Sequence, residues 1–122
     1  MQPLHPRILC VEDDQDTCEM LAVSLGMSGY EAVSAHTATD ALKKTLSSDF
    51  DIILLDNRLP DRSGIELCKQ IREVDPSTPI IFYSGDAYPK QIEDAREAGA
   101  RAYLVKPVDP DKLERTIKRF LC

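Results

Sequence analysis

The sequence predicts an α/β domain, a parallel sheet of five strands wound with helices on both faces. Three observations carry that prediction. Short apolar runs alternate with segments of helical spacing from one end of the chain to the other. Two runs, "RILCV" and "IILL", are apolar without alternation, the pattern of strands buried on both faces. The 122 residues contain five such strand–helix pairs and no repeat, low-complexity tract or linker. That length suits one domain around a single core.

The first strand is expected at 7–11, followed by a helical pattern over 14–29. In "DQDTCEMLAVSLGMSG" the helical pattern is carried by Met20, Leu21, Val23, Ser24 and Leu25, and a glycine ends it. "EAVSA" (31–35) is a weaker, alternating strand. "TATDALKKTLSS" (37–48) reads as a helix capped by Thr37 or Thr39. The second strong buried run is 51–55. "SGIELCKQIREV" (63–74) places Ile65, Leu67, Cys68, Ile71 and Val74 at helical spacing. "PIIFYS" (79–84) is the fourth strand, and "PKQIEDAREAG" (89–99) a helix closed by Gly99. A last strand, "AYLVK" (102–106), leads to a last helix over 109–121, with Asp109 as N-cap and Pro110 in its first position. Residues 1–6 are left as a short N-terminal tail of a single 1–122 domain.

Composition narrows the functions open to such a domain. With 43% apolar and 30% charged residues the chain is ordinary globular material. A net charge of −6 makes the domain a poor partner for nucleic acid, and no direct contact with it is expected. No run of 18 apolar residues exists, and "MQPLHPRIL" lacks the apolar stretch of a secretory signal, so no membrane contact and a cytoplasmic location are expected. Cys10, Cys18, Cys68 and Cys122 include no CxxC pair, which argues against a zinc site. Cys10 and Cys68 sit among apolar neighbours and read as small core residues, and free thiols fit a reducing compartment.

Right-handed crossovers leave few topologies for five parallel strands. The flavodoxin-like order 2-1-3-4-5 is the expected one, with its site where strands 1 and 3 meet. Glu12, Asp13 and Asp14 would then end beside Asp56. Asp56 is no helix cap, since the next helical pattern begins only near Gly64. Carboxylates about 4 Å apart repel by roughly 4 kcal/mol at an effective dielectric of ~20. A divalent cation or a lysine would compensate them, and an oxygen-only donor set suits Mg²⁺ or Mn²⁺. The plainer reading is that Glu12 to Asp14 favour the helix N-terminus that follows them. Strand 4 ends in Ser84-Gly85 and strand 5 in Lys106-Pro107, next along the same edge. Singly these read as a turn serine and a surface lysine. Together they would hold an oxygen-rich anion attached to Asp56, and aspartate is a known nucleophile toward phosphorus.

Four stretches carry a resemblance: "ILCVEDD" (8–14), "DIILLDNRLPDRSGIEL" (51–67), "PIIFYSGDA" (79–87) and "GARAYLVKPVDPDKL" (99–113). Over essentially its whole length the chain resembles a response-regulator receiver domain of two-component signalling. The resemblance implies that Asp56 is the phosphoacceptor, that Asp13 binds the metal directly, and that Glu12 acts on it through water. It implies a metal contact from the backbone carbonyl of Arg58 and a phosphoryl contact from Lys106, whose bond to Pro107 would be cis. Ser84 would be the switch hydroxyl and Tyr103 the switch aromatic, with Asn57 and Asp86 at the pocket rim.

The implied chemistry is Mg²⁺-dependent phosphoryl transfer to Asp56 from a sensor histidine kinase or a histidine phosphotransfer protein. The product would alter the face formed by helix 4, strand 5 and helix 5, and so control a downstream effector or a fused output domain. That makes the chain a signalling switch, not a turnover enzyme. A phosphorylation-dependent dimer belongs to the same picture, although Arg101 and Ala102 replace the acids that often serve that pairing. A stand-alone regulator and a domain of a longer protein fit equally. Arg58 and Asp86 each lie two residues past a site residue and are expected to pair across the pocket mouth, unless Asp86 simply caps helix 4. An aspartyl phosphohydrolase is disfavoured because Arg58 stands where its second aspartate would be. Neither glycine-rich nucleotide motif is present.

Overall fold

A computed structural model of the chain describes residues 5–121; residues 1–4 of the expected tail, and Cys122, lie outside the described residues. Ten elements alternate strictly: β1 (Arg7–Val11), α1 (Gln15–Met27), β2 (Glu31–Ala35), α2 (Ala38–Ser47), β3 (Ile52–Leu55), α3 (Gly64–Val74), β4 (Ile80–Ser84), α4 (Pro89–Ala98), β5 (Ala102–Val105) and α5 (Pro110–Leu121). The five strands form one parallel sheet in the order β2-β1-β3-β4-β5. The expected architecture is the one observed.

Side chains alternate across the sheet, and so divide the core into two layers. Leu9, Val11, Ile53, Leu55, Ile80 and Phe82 face Ala38, Ala41, Leu67, Ile71 and Ala95, on α2, α3 and α4. Ile8, Cys10, Ile52, Leu54, Ile81 and Tyr83 face Leu21, Leu25, Leu113 and Ile117, on α1 and α5. Cys10 and Cys68 are buried as expected, and burial raises their thiol pKa values to about 12 and about 11. One expectation fails. Met20, Val23 and Val74 match the helical period but are exposed; the inner face of α1 is Cys18, Leu21 and Leu25. A thirteen-residue helix packed against one sheet buries a narrow stripe, and apolar residues at its margins remain in water.

The helix starts are set locally. Asp14, Thr37 and Ser63 each accept a hydrogen bond from the backbone N–H three residues on. Asp109 accepts from the N–H of Asp111 and caps α5. Gly99 ends α4 with φ 116°, in the left-handed region where glycine is favoured.

Register then aligns the strand ends. Val11 pairs with Leu55, Leu55 with Phe82, and Ser84 with Val105. The residues that follow therefore emerge side by side at one edge of the sheet.

Candidate functional site

Glu12 and Asp56 follow paired strand residues and are 3% and 8% exposed, whereas Asp13 is exposed. Carboxylate oxygens of Glu12, Asp13 and Asp56 lie within 4.8 Å of one another. Asp14 is not part of the group: it caps α1, accepting from the N–H of Thr17 at 3.1 Å. The acidic run thus divides its work between a pocket and a helix cap.

The cluster is crossed by one cation. Lys106 leaves the end of β5 and its ammonium donates to Glu12 and, at 3.3 Å, to Asp56. It also lies over the ring of Tyr83, 5.1 Å from the centroid. Burial lifts Glu12 above the usual carboxylate range and outweighs the opposing contact from Lys106. Burial pulls Lys106 down, but its contacts with Glu12 and Asp56 prevail and hold it above its ordinary value. Lys106 stays charged, while the carboxylates beside it are under-compensated. An oxygen-only group of three acids at this spacing could hold a hard divalent cation, and a cation there would oppose the upward shift of Glu12. The peptide bond between Lys106 and Pro107 is cis.

The far side of the pocket is made by the end of β4. Ser84 is fully buried, and its hydroxyl accepts from the N–H of Asp86 at 3.3 Å. The carbonyl of Asp86 accepts from the hydroxyl of Tyr103 at 2.6 Å, and the Tyr103 ring stacks on Phe82 with centroids 5.5 Å apart. Ser84, Asp86 and Tyr103 are therefore linked in one chain of contacts. The side chain of Asp86 is also buried. It receives the guanidinium of Arg58 at 2.8 Å, and Asn57 at 3.5 Å. These bonds, that with Arg58 foremost, hold its pKa below the usual carboxylate value. Asp86 does not cap α4, whose N-cap is Tyr88 without a side-chain bond.

Further contacts support the backbone around the pocket. The side-chain oxygen of Asn57 accepts from the N–H of Ile65, and the N–H of Gly64 donates to the Asn57 carbonyl at 2.8 Å. A Cβ on Gly64 would lie 2.3 Å from the Asp56 carbonyl oxygen, so only glycine lets α3 start directly beneath the site. The carbonyl of Glu12 has two neighbours that sequence reasoning missed. His36 Nδ1 lies 3.0 Å from it, and Cys18 donates its S–H at 3.3 Å. His36 immediately follows β2, the sheet neighbour of β1, and that position is the one sequence signal that could have found it.

Comparison with known proteins identifies the fold and the family. The model of the response regulator receiver domain matches residues 8–118. The transcriptional regulatory protein ZraR of Salmonella typhimurium is 34% identical over 114 residues, which is 93% of this chain and 26% of ZraR. The chain therefore spans about a quarter of the length of that relative. A CheY-like receiver domain protein from Methanospirillum hungatei superposes with a TM-score of 0.93 at 35% identity, covering 96% of this chain and 94% of that one. The response regulator TrrA of Thermotoga maritima, solved in complex with Mg²⁺ and BeF, gives 0.86 at 34% identity, covering 95% and 99%. The fold, the acids at the ends of β1 and β3 and these similarities converge, and the chain belongs to the response regulator receiver domain family of two-component systems.

Proposed function

We propose that the chain accepts a phosphoryl group on Asp56, with a divalent cation such as Mg²⁺, from a histidine kinase or a histidine phosphotransfer protein. One observation carries the reading. The Asp56 carboxylate follows a buried strand, clusters with the carboxylates of Glu12 and Asp13, and has the Lys106 ammonium 3.3 Å away. A carboxylate oxygen of Asp56 attacks phosphorus, the P–N bond to the donor imidazole breaks, and its electron pair stays on that nitrogen. Asp56 is left as an acyl phosphate. Lys106 is placed to neutralise the transferring oxygens. Glu12, Asp13, Asp56 and the Arg58 carbonyl are the groups that would hold the cation, which would supply the remaining positive charge. That TrrA was solved with Mg²⁺ and BeF supports the assignment of this pocket.

Phosphorylation adds roughly two negative charges beside Ser84. Ser84 donating its O–H to the new oxygens would draw its hydroxyl toward them and strain the bond it accepts from the Asp86 N–H, and through Asp86 the change would reach Tyr103. Two packings of the β4–α4 loop would then exchange in population and alter the face made by α4, β5 and α5. The Arg58–Asp86 ion pair sits at the mouth of the pocket, and in this reading it slows the water that hydrolyses the acyl phosphate.

The test is intact mass after incubation with acetyl phosphate. A gain of about 80 Da, one phosphoryl group, is expected in wild type with Mg²⁺, and in neither Asp56→Asn nor a Mg²⁺-free sample. A gain that survives in Asp56→Asn would place the acceptor elsewhere. Arg58→Ala should then lose its phosphoryl group faster than wild type; an equal decay removes the gate but leaves the acceptor.

A further inference from the structure

The carbonyl of Glu12 gathers two metal-ligating side chains that the acid pocket does not use. Cys18 stands near the start of α1 and is 4% exposed. His36 follows β2 and is exposed. The Cys18 sulfur lies 3.3 Å from the Glu12 carbonyl oxygen, and His36 Nδ1 lies 3.0 Å from the same oxygen. Sulfur and nitrogen are themselves 3.7 Å apart. The pair is separated by 18 residues in the chain, so no close-spaced motif announces it.

Those separations are close to the ones a thiophilic cation imposes on its ligands. Zinc–sulfur bonds of about 2.3 Å and zinc–nitrogen bonds of about 2.0 Å, opened to a tetrahedral angle, put the two ligand atoms roughly 3.6 Å apart. The triangle of sulfur, nitrogen and carbonyl oxygen thus resembles one face of such a coordination shell, with water left to complete it. The donor set also sorts the ions. Thiolate and imidazole suit Zn²⁺, whereas Mg²⁺ prefers the oxygen-only group of Glu12, Asp13 and Asp56. The exposed imidazole gives a cation its way to the buried sulfur.

We propose that Cys18, His36 and the Glu12 carbonyl form a site for a thiophilic divalent cation such as Zn²⁺. Binding expels the thiol proton to solvent and leaves the imidazole proton on Nε2, so that sulfur and Nδ1 both donate to the metal. The carbonyl oxygen, released from its contacts with these two groups, turns a lone pair to the ion. Glu12 would then have a cation at each end, one at its carbonyl and one at its carboxylate. Like charges so placed repel, and the thiophilic ion weakens the hold of the acid pocket on Mg²⁺. Only that antagonism rests on the proposed function; the thiophilic site itself does not.

The test adds Co²⁺, a spectroscopic substitute for Zn²⁺, to the reduced chain in excess Mg²⁺. A thiolate-to-cobalt charge-transfer band in the near ultraviolet should appear, saturate at one ion per chain, and vanish on addition of Zn²⁺. Cys18→Ser, which keeps a hydroxyl donor for the Glu12 carbonyl, should lose the band, and His36→Gln should weaken binding by about tenfold or more. The band should survive in Asp13→Asn with Asp56→Asn, and in His5→Gln with Cys122→Ser. No band in wild type, a band retained in Cys18→Ser, or one lost with the two acids or with His5 and Cys122 would overturn the proposal. The pair would then serve only to hold the carbonyl. The Mg²⁺ concentration that half-labels wild type with acetyl phosphate should rise several-fold with Zn²⁺ present, and should not rise in Cys18→Ser. An equal rise in both would place the competing ion in the acid pocket and overturn the antagonism. Unlabelled wild type would refute the Asp56 chemistry and leave the cobalt result standing.

Discussion

The two ends of the sheet use charged residues in opposite ways. At the N-terminal ends of the strands, charges are spent on backbone groups. Arg72 donates to the carbonyls of Gly99, Asp75 and Thr78, with its shortest bond at 2.7 Å. Arg7 donates to the Asp49 carbonyl and pairs with Glu31, while Asp51 accepts from the Arg7 N–H. Asp75 accepts from the N–H groups of Ser77 and Thr78. At the C-terminal ends, three carboxylates cluster and a single ammonium, that of Lys106, pairs with two of them, Glu12 and Asp56. The first arrangement ties loops to the frame. The second concentrates uncompensated charge where a ligand is to be held, so stability and function occupy opposite edges of the same strands.

The largest effect is expected where the reactive edge depends on packing instead of charge. Gly64→Ala forces a Cβ against the Asp56 backbone and should cost on the order of 2–3 kcal/mol in urea unfolding, with phosphoryl acceptance impaired as well. Unchanged stability would show that α3 can shift without cost. At the opposite edge Arg72→Ala strands three carbonyls and should cost about 2 kcal/mol, yet leave labelling of Asp56 intact. A loss of labelling in that folded variant would mean the two edges are coupled. Asp56→Asn should go the other way and stabilise the Mg²⁺-free protein by roughly 1 kcal/mol, because it relieves repulsion within the acid cluster. Millimolar Mg²⁺ should raise the melting temperature of wild type more than that of the variant. A destabilised variant in the absence of metal would show that the Lys106 contact outweighs the repulsion.

The smallest effect concerns acid stability. Asp61 accepts from the N–H groups of Ala38 and Thr39 at 2.8 and 2.9 Å, and those bonds pull its pKa down to about 2. Its folded pKa lies below the unfolded value near ~3.9. The linked stability is therefore fully present above about pH 4 and is lost as pH falls toward about 2. Asp61→Asn should flatten that part of the acid-unfolding curve measured by circular dichroism. An unaltered curve would show that the cap on α2 contributes nothing to acid resistance.

Much of this arrangement was legible from the chain. Apolar runs in alternation with helical periods set five strand–helix units, and parallel winding sends every strand end to one edge. Glu12, Asp56, Ser84 and Lys106 could thus be placed together before any distance was known. Helix caps were equally readable, since Thr37 and Asp109 act on N–H groups two or three residues away. The exposed Met20 and Val23 mark the limit of the periodic signal, which reports a helix but not how wide a stripe its sheet covers.

What the sequence by itself determined is the frame and the residues at its reactive edge, because both follow from local pattern and chain winding. Tertiary structure alone decided how those residues divide their tasks. It sent Glu12 inward and Asp14 to a helix cap, chose for Asp86 the expected pairing with Arg58 over a cap on α4, put His36 and Cys18 on the Glu12 carbonyl, and brought α3 under Asp56 at Gly64. Apart from the cap at Asp14, these depend on loop paths and on contacts between residues distant in the chain, where burial and hydrogen-bond geometry choose among partners that periodicity treats alike.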